Sequence, residues 1–247
     1  MQRIRIIPSS PALLAEGRRR ILAVADLHLG FEAGLAANGI FVGKNSAARQ
    51  TAEEIECLID SQEPDSVVLL GDVKSSVRGI SKSEWDEVPA FFERICRKCD
   101  VVLVPGNHDS NIERLVPDAV TMTGPSGMIE EDTLFTHGHA MPSDNFGHVG
   151  RIVMGHAHPT YIEEGSVLNG QRVWASMQAQ KGDIFPSRTG SIEVIVMPSF
   201  NRYFFATHKK HSKSTSPIIR RIGECRARIT TLDGSIIGDE SALDRVV

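Results

Sequence analysis

Side chains that commonly bind metal ions are grouped in five short motifs of this chain, and each motif follows an apolar run. In chain order, these side chains belong to Asp26 and His28; Asp72; Asn107, His108 and Asp109; His137 and His139; and His156 and His158. Six of the nine histidines of the chain lie in these motifs. A single histidine is more often a surface or hydrogen-bonded residue than a ligand, but the repeated order and placement predict one shared metal site.

The apolar runs before the motifs have the length of buried strands. They are residues 21–25, 67–70, 101–104, 134–136 and 152–154. In open α/β sheets, functional sites form beyond the carboxyl ends of the strands, so five such ends would bring the motifs to one edge. Glycine stands beside the motif residues at positions 71, 106, 138 and 155, where it allows the backbone to turn sharply and pass close to the site.

The ligand types indicate two metal ions rather than one. Seven nitrogen and oxygen ligands are too many for a single tetrahedral zinc ion. They suit a pair of divalent ions, for which we expect Mn²⁺, with Zn²⁺, Fe²⁺ or Co²⁺ as alternatives. One carboxylate is expected to bridge the ions, and two ions roughly 3.5–4 Å apart form the clamp that phosphatases and nucleases use.

The elements that must position these ligands follow from hydrophobic periodicity. Residues 20–160 alternate short apolar runs with amphipathic stretches, which predicts an α/β arrangement. A helix is predicted over residues 46–59, and the pattern from Ser81 to Glu84 resembles the capping box of a second helix. Pro89 lies inside the pattern of that second helix, so we expect a kink or a late start there.

The C-terminal third of the chain has a different pattern. Strands are predicted near residues 173–177, 192–197 and 227–232, and they are expected to complete a sheet. Residues 207–216 are polar and basic, and they are predicted to form an exposed loop. This basic stretch offers contacts for a phosphate backbone, although a solvated loop is the interpretation that we favour.

Composition limits the cellular context. The chain has 247 residues and a net charge of −4, so its overall charge indicates no general attraction to nucleic acid. No apolar run approaches the roughly 20 residues of a membrane span, and the first ten residues lack a signal-peptide pattern. We therefore expect a cytoplasmic protein that does not insert into membranes.

The four cysteines, at positions 57, 96, 99 and 225, have no spacing typical of a disulfide framework. Cys96 and Cys99 form an isolated C-x-x-C pair, which is either half of a zinc site, a redox pair, or part of the apolar face of a helix. We favour the helix face, because the chain has no second pair of cysteines.

Together, the five motifs resemble those of the calcineurin-like metallophosphoesterase superfamily, in the order of that family. The matching motifs are Asp26-x-His28, Gly71-Asp72, Gly106-Asn107-His108-Asp109, His137-Gly138-His139 and Gly155-His156-x-His158. More narrowly, residues 25–32, Gly39-Ile40 and residues 194–201 resemble the SbcD-related predicted phosphoesterases best known from archaea. The resemblance implies a four-layer α/β/β/α sandwich, which we expect to form a single domain of residues 1–247, with the metal motifs at 26–158 and C-terminal strands at 170–240.

The resemblance also implies a role for each motif residue. The first metal would be held by Asp26, His28 and His158. The second would be held by Asn107, His137 and His156, with Asp72 as the bridge. His108 would contact the phosphate and protonate the leaving oxygen.

Two further motif residues are candidates for roles outside the ligand set. Asp109 would either orient His108 or cap the following turn. His139 would either support the site or contact phosphate, or it would be an ordinary loop residue beside His137.

Departures from the family narrow the subclass. Protein Ser/Thr phosphatases of this superfamily carry Gly-Asp-x-Val-Asp-Arg-Gly, whereas this chain has Gly-Asp-Val-Lys-Ser-Ser-Val at residues 71–77. The aspartate that usually steadies the catalytic histidine is therefore missing. The tyrosine ligand of purple acid phosphatases is also missing after Asp72.

The predicted function is that of a dinuclear metal-dependent phosphoester hydrolase, more specifically a phosphodiesterase. Its substrates would be nucleic acid, either DNA or RNA, or nucleotides, attacked by a hydroxide that bridges the metals. The alternatives are a small-molecule phosphomonoesterase and, on the same fold, a catalytically inert scaffold. The scaffold is disfavoured, because the chain keeps all seven ligands and His108. The resemblance also suggests a homodimer, since related nucleases dimerise.

Overall fold

The computed structural model describes residues 2–37, 39–40, 47–203 and 216–246. The first of its two sheets has strands that lie side by side in chain order. They are β1 (Arg3–Ile6), β2 (Leu13–Glu16), β3 (Arg20–Ala25), β4 (Ser66–Leu70), β5 (Asp100–Val104) and β6 (Val120–Met122). Strands β3 to β6 are parallel, whereas β1 and β2 add an antiparallel hairpin that the sequence analysis does not anticipate.

The second sheet is formed by the later strands. They are β7 (Met128–Glu130), β8 (Thr133–Thr136), β9 (Arg151–Met154), β10 (Val173–Gln180), β11 (Ser191–Val196), β12 (Arg226–Thr231) and β13 (Ile236–Asp239). Their spatial order is β13-β12-β10-β11-β9-β8-β7. Strands β8, β9 and β11 are parallel, so their carboxyl ends lie at one edge.

Two long helices cover the first sheet, and short helices lie elsewhere. The helices are α1 (Phe31–Ala37), α2 (Ala47–Gln62), α3 (Lys82–Cys96), α4 (Lys181–Ile184) and α5 (Pro217–Arg221). The predicted helix at 46–59 is confirmed as α2 from Ala47 onward, while residue 46 lies outside the described residues. No helix in the described part of the chain is both long and apolar enough to cross a membrane.

The start of α3 confirms the capping box. The Ser81 side chain accepts a hydrogen bond from the Glu84 backbone N–H, and the Glu84 carboxylate accepts one from the Ser81 N–H. The late start expected at Pro89 is wrong, because the helix already begins at Lys82 and continues through the proline. The satisfied cap and the buried Val88 and Phe92 offset the hydrogen bond that proline cannot donate.

Alternation along the strands divides the core into three apolar layers. Leu22 and Val24 of β3 face the long helices, whereas Ile21 and Ala23 face the second sheet. The middle layer, between the sheets, also contains Phe135. A third layer covers the outer face of the second sheet and includes side chains from α4, α5 and the C-terminal 3-10 turn at Glu240–Arg245. The fold is therefore the expected four-layer α/β/β/α sandwich.

The cysteine pair Cys96 and Cys99 packs against the core layer under the long helices. Burial raises the pKa of both thiols, that of Cys99 to about 11, which keeps them protonated near neutral pH. Neither cysteine belongs to a potential metal cluster in the described part of the chain. These observations support a packing role for the pair, but the prediction that both lie on the helix face is wrong for Cys99, because the helix ends at Cys96.

The basic stretch predicted at 207–216 lies outside the described residues except for its last position. Ser216 is buried and donates a hydrogen bond to the carbonyl of Gly138 at 2.8 Å. The expectation of an exposed loop is therefore wrong at Ser216, because its hydroxyl packs beside one of the metal motifs.

Candidate metal centre

The candidate site lies where the carboxyl ends of strands from both sheets meet. Strands β3, β4 and β5 end in register at Ala25, Leu70 and Val104, and β8 and β9 end at Thr136 and Met154. The edge predicted for one open sheet is thus shared by two sheets. Apolar packing in the middle layer holds the sheets face to face, so the five ends adjoin.

The first group of potential ligands comprises Asp26, His28, Asp72 and His158, whose ligand atoms all lie within 4.8 Å of one another. His158 Nε2 is 3.2 Å from Asp26 Oδ1 and 3.5 Å from His28 Nε2. His28 Nε2 is 3.9 Å from Asp72 Oδ2. Two carboxylates and two imidazoles therefore point at the same small volume.

The second group comprises Asp72, His137 and His156, within the same 4.8 Å limit. His137 Nε2 lies 3.5 Å from Asp72 Oδ2, and the rings of His137 and His156 are 4.9 Å apart between centroids. Asp72 belongs to both groups. This division matches the two ligand sets that the family resemblance implies, while the ion held by each set stays a prediction.

Asn107, the remaining residue of the implied set, is exposed, and its assignment to the second group stays a prediction. Its neighbours on both sides contact Asp72: the Gly106 Cα packs against that residue, and the His108 N–H donates to Asp72 Oδ1 at 2.8 Å.

The backbone at the ligands is unusual for residues with a β-carbon. The left-handed region is occupied by five of the candidate ligands, with φ values of 59° at Asp26, 45° at His28, 50° at Asp72, 68° at His156 and 47° at His158. This conformation costs about 1–2 kcal/mol for a non-glycine residue. It persists where the surrounding structure imposes it, most often at functional sites.

Glycine allows two of the strand ends to approach each other. A β-carbon at Gly71, whose φ is 71°, would lie 2.5 Å from the His137 ring. A β-carbon at Gly106 would lie 2.2 Å from Asp72 Oδ1. Both positions therefore require glycine for the ligands to occupy the space that they do.

Electrostatics differ between the two carboxylates. Burial opposes ionisation of Asp26, but the nearby His158 and a hydrogen bond with His137 outweigh it and hold the pKa of Asp26 far below its usual range. Burial raises the pKa of Asp72, and the Asp26 charge adds to this effect against the attraction of His137. A cation between the two carboxylates would relieve their repulsion.

The imidazoles are also prepared for metal binding. Burial, reinforced by neighbouring histidines, lowers the pKa of His28 well below its usual range and that of His156 to about 3. Metal ions bind the neutral form of histidine, so these two rings need not lose a proton near neutral pH. The exception is His137, where burial is outweighed by a hydrogen bond with Asp26 and by the charge of Asp72, which raise its pKa, so this ring must release its proton on binding a metal ion. Carboxylates and imidazoles together form a donor set that fits divalent ions.

His108 faces the cluster without belonging to either ligand group. Its Nδ1 is 2.6 Å from the Ser75 carbonyl oxygen, and its Nε2 is 3.8 Å from Asp72 Oδ2. Because a carbonyl can only accept, Nδ1 carries a proton and Nε2 is directed towards the cluster. The Ser75 carbonyl thus takes the orienting position of the aspartate that this chain lacks, and no side-chain motif in the sequence signals that role.

Asp109 is buried beneath the loops rather than paired with the His108 ring. Its carboxylate accepts hydrogen bonds from the backbone N–H groups of Val73 at 2.9 Å, Lys74 at 3.2 Å and Gly106 at 2.8 Å. Burial and the adjacent Asp72 raise the pKa of Asp109 to about 6. These contacts tie the loops after β4 and β5 together, which favours the structural of its two predicted roles.

His139 lies against the candidate ligand His137 on the side away from the cluster. The Nδ1 atoms of the two rings are 3.0 Å apart, so one ring donates a hydrogen bond to the other. Burial and the neighbouring His137 lower the pKa of His139 to about 4, which keeps it neutral. The contact fits a supporting role, because such partners fix the orientation of metal-binding histidines.

The C-terminal segment contributes two supports that the sequence analysis did not assign. Ser199 Oγ donates to the carbonyl of Asp26 at 2.9 Å, and Asn201 Nδ2 donates to the carbonyl of Leu27 at 2.9 Å. Both side chains are buried. The family resemblance over residues 194–201 had singled out this segment. Only the tertiary structure shows that it holds the backbone of residues 26–28, which carry the first metal motif.

One protein family and two solved structures are similar to this chain. Residues 19–196 match the sequence model of the family described as calcineurin-like phosphoesterase. A nuclease, MPE, from Pseudomonas putida has a similar structure, with a TM-score of 0.55 and 16% identity over 95% of this chain and 100% of the other. Yfce, a phosphoesterase from E. coli, aligns with a TM-score of 0.41 and 17% identity over 90% of this chain and 98% of the other.

No curated protein sequence matches the chain significantly, and the narrower SbcD-related assignment stays a prediction. The family match covers more than half of the chain, and the site contains a cluster of aspartate and histidine side chains suited to metal ions. The chain therefore belongs to the calcineurin-like phosphoesterase family and is a metal-dependent phosphoester hydrolase.

Proposed function

We propose that this protein is a dinuclear phosphodiesterase that acts on nucleic acid or nucleotides. The observation that carries the dinuclear part is the pair of ligand groups that share Asp72. Each group offers three or four ligand atoms within 4.8 Å of one another, enough to hold one ion, so a single ion would leave ligands of the other group unused. The similar fold of the P. putida nuclease supports a polynucleotide as the substrate class to test first.

Each ion has a proposed set of ligands, and we propose Mn²⁺ as the ion. The first set is Asp26, His28 and His158, the second is Asn107, His137 and His156, and Asp72 bridges both. When bound, such a pair supplies Lewis acidity and lowers the pKa of water, so that a nucleophile forms near neutral pH. The side chains of the protein would position the substrate and donate a proton to the leaving group.

His108 is the proposed proton donor. The Ser75 carbonyl holds Nδ1–H at 2.6 Å, which leaves Nε2 facing the space above Asp72. When Nε2 is protonated, it can donate to the departing alkoxide oxygen as the P–O bond breaks.

The test measures hydrolysis by the Mn²⁺-loaded protein of bis-p-nitrophenyl phosphate, p-nitrophenyl phosphate and labelled single- and double-stranded DNA and RNA. We expect cleavage of the diester and of nucleic acid, and a 10²–10⁴-fold loss in His108→Ala with near-normal metal content. His148→Ala is the matched control, because His148 is an exposed histidine outside both ligand groups, with its Nδ1 3.2 Å from the Asn145 carbonyl oxygen.

Each other outcome changes a specific part of the proposal. Cleavage of the monoester alone would assign a small-molecule phosphatase. An equal loss of metal and activity in His108→Ala would refute its role as proton donor. No hydrolysis of any substrate by protein with two bound metals would contradict the phosphodiesterase and favour the inert scaffold.

A further inference from the structure

A cavity of about 600 Å³ opens at the same edge of the sandwich as the metal centre. It lies on the side of β12 and β13, and its lining includes Ser9, Leu168, Arg172, Arg202, Leu232, Asp233, Ser235 and Ile237. Its volume is within the range of roughly 300–1,000 Å³ for small-molecule sites. Apolar side chains and two arginines therefore share one concave surface.

Arg172 is the cation of this cavity that lacks a counter-charge. Its Nη1 donates to the carbonyl oxygens of Ser199 at 2.8 Å and Phe200 at 2.9 Å. No carboxylate of the described residues lies within salt-bridge distance of it, and burial lowers the pKa of its guanidinium. A half-buried guanidinium with only neutral partners can gain a bidentate anionic ligand.

The other charged groups of the cavity are already engaged. Arg202 pairs with Glu54 on α2. Asp233 accepts hydrogen bonds from the Thr231 hydroxyl and from the Ser235 N–H, which lower its pKa and keep it ionised. The negative charge of Asp233 repels an anion, so removing this charge should strengthen the binding of an anion in the cavity.

The cavity is connected to the metal centre by the segment at residues 199–201. The carbonyl of Ser199 accepts from Arg172, while its hydroxyl donates to the carbonyl of Asp26. The next residue, Phe200, donates its N–H to the carbonyl of Ala25 at 2.8 Å. Arg172 and the backbone of the first metal motif therefore hold the same three residues from opposite sides.

We propose that this cavity is a second phosphate subsite, in which Arg172 binds a phosphate of the polynucleotide other than the one that is cleaved. The apolar side chains of Leu168, Leu232 and Ile237 would contact the sugar or base of that nucleotide. This inference rests on the proposed phosphodiesterase function and deepens it, because a small diester would not extend to the subsite.

The test is binding of a fluorescein-labelled single-stranded hexadeoxynucleotide to the full-length, Mn²⁺-loaded protein, followed by anisotropy at several salt concentrations. His108→Ala serves as the background, so that the probe is not consumed. Arg172→Gln is expected to weaken binding about tenfold or more. It should also reduce the slope of log affinity against log salt by about 0.7, as the loss of one phosphate contact predicts for a single strand.

Substitutions at Ser235 and Asp233 distinguish an effect of charge from structural damage, because neither side chain holds the carbonyls of residues 199 and 200. Ser235→Glu is expected to weaken binding about tenfold by repulsion, whereas the uncharged Ser235→Gln of similar size should not. Asp233→Asn is expected to tighten binding. With His108 intact, Ser235→Glu should raise the KM for the oligonucleotide but match Ser235→Gln in hydrolysis of bis-p-nitrophenyl phosphate.

The outcomes distinguish the subsite from the proposed function. Equal binding by Ser235→Glu and Ser235→Gln, or an unchanged salt slope in Arg172→Gln, would overturn the subsite even if the oligonucleotide is cleaved. Charge-dependent binding without cleavage by the protein with His108 intact would support the anion subsite while contradicting the phosphodiesterase.

Discussion

Gly106 provides a steric test of how closely the two strand ends must approach. In Gly106→Ala, the new β-carbon would lie 2.2 Å from Asp72 Oδ1, 2.4 Å from the Asp72 backbone nitrogen and 2.9 Å from His137 Cε1. Contacts of a β-carbon below 3.0 Å essentially do not occur. The substitution therefore forces the bridging carboxylate, the backbone beside it, or the strand end carrying Gly106 to move.

The size of the movement sets the expected effect. To restore 3.0 Å, Asp72 Oδ1 must move by about 0.8 Å and the Asp72 nitrogen by about 0.6 Å. Misplacement of reacting groups by about 1 Å costs about 100-fold in rate. Overpacking of this kind costs about 1–3 kcal/mol, which lowers the melting temperature by roughly 2–12 °C in a chain of this size.

The assay compares kcat for bis-p-nitrophenyl phosphate, metal content and thermal unfolding of Gly106→Ala with those of Gly124→Ala. A β-carbon at Gly124 would have no neighbour within 4 Å, so that control should behave like the unsubstituted protein. Full activity in Gly106→Ala, or an equal loss in both variants, would refute the claim that the close approach at Gly106 positions Asp72.

Three further perturbations test other parts of the structure. Asp72→Asn should lose both metal ions, whereas His28→Ala and His156→Ala should each lose one; equal losses by elemental analysis would contradict the two-group arrangement. Glu84→Gln should cost about 2 kcal/mol, because the carboxylate caps the backbone N–H groups of residues 76 and 81. The native pKa of Glu84 is lowered, as its hydrogen bonds outweigh burial, so this contribution is present above the ordinary value of 4.5 and is lost as the pH falls through the lowered native value. Melts at several pH values should therefore converge in acid, and a constant difference would refute the linkage. Phe135→Ala should cost about 3–5 kcal/mol by denaturant unfolding, because Phe135 is fully buried between the sheets, and a cost below 1 kcal/mol would show that the sheets repack.

Local pattern in the sequence was sufficient for helix α2, for the strands that precede the metal motifs and for the types of ligand. Helix α2 buries Ala48, Ala52, Ile55 and Ile59, as their helical spacing predicts. The strands before the metal motifs are runs of buried residues, and this pattern is readable from neighbouring residues alone. The same short-range information identified the capping box at Ser81. These features depend on interactions between residues close in the chain.

Some local signals were too short to be decisive. Arg3, Ile4, Arg5 and Ile6 alternate as a strand does, yet four residues followed by Pro8 did not suffice to predict β1. Its pairing with β2 completes an element that is stable only as part of the larger sheet. Pro89 shows the opposite case, in which a local breaking signal was overridden by a cap and a buried helix face.

The arrangement of the site depended on contacts between residues far apart in the chain. His137 lies 3.1 Å from Asp26 across 111 positions, and Ser199 holds the Asp26 carbonyl across 173. The left-handed backbone at five candidate ligands, the Ser75 carbonyl beside His108 and the contact of Arg172 with the carbonyls of residues 199 and 200 all result from such packing. The sequence determined which chemical groups this protein has and which strands carry them. Only the tertiary structure decided which groups meet, because the burial of two sheet faces against each other sets the distances between segments that no local pattern relates.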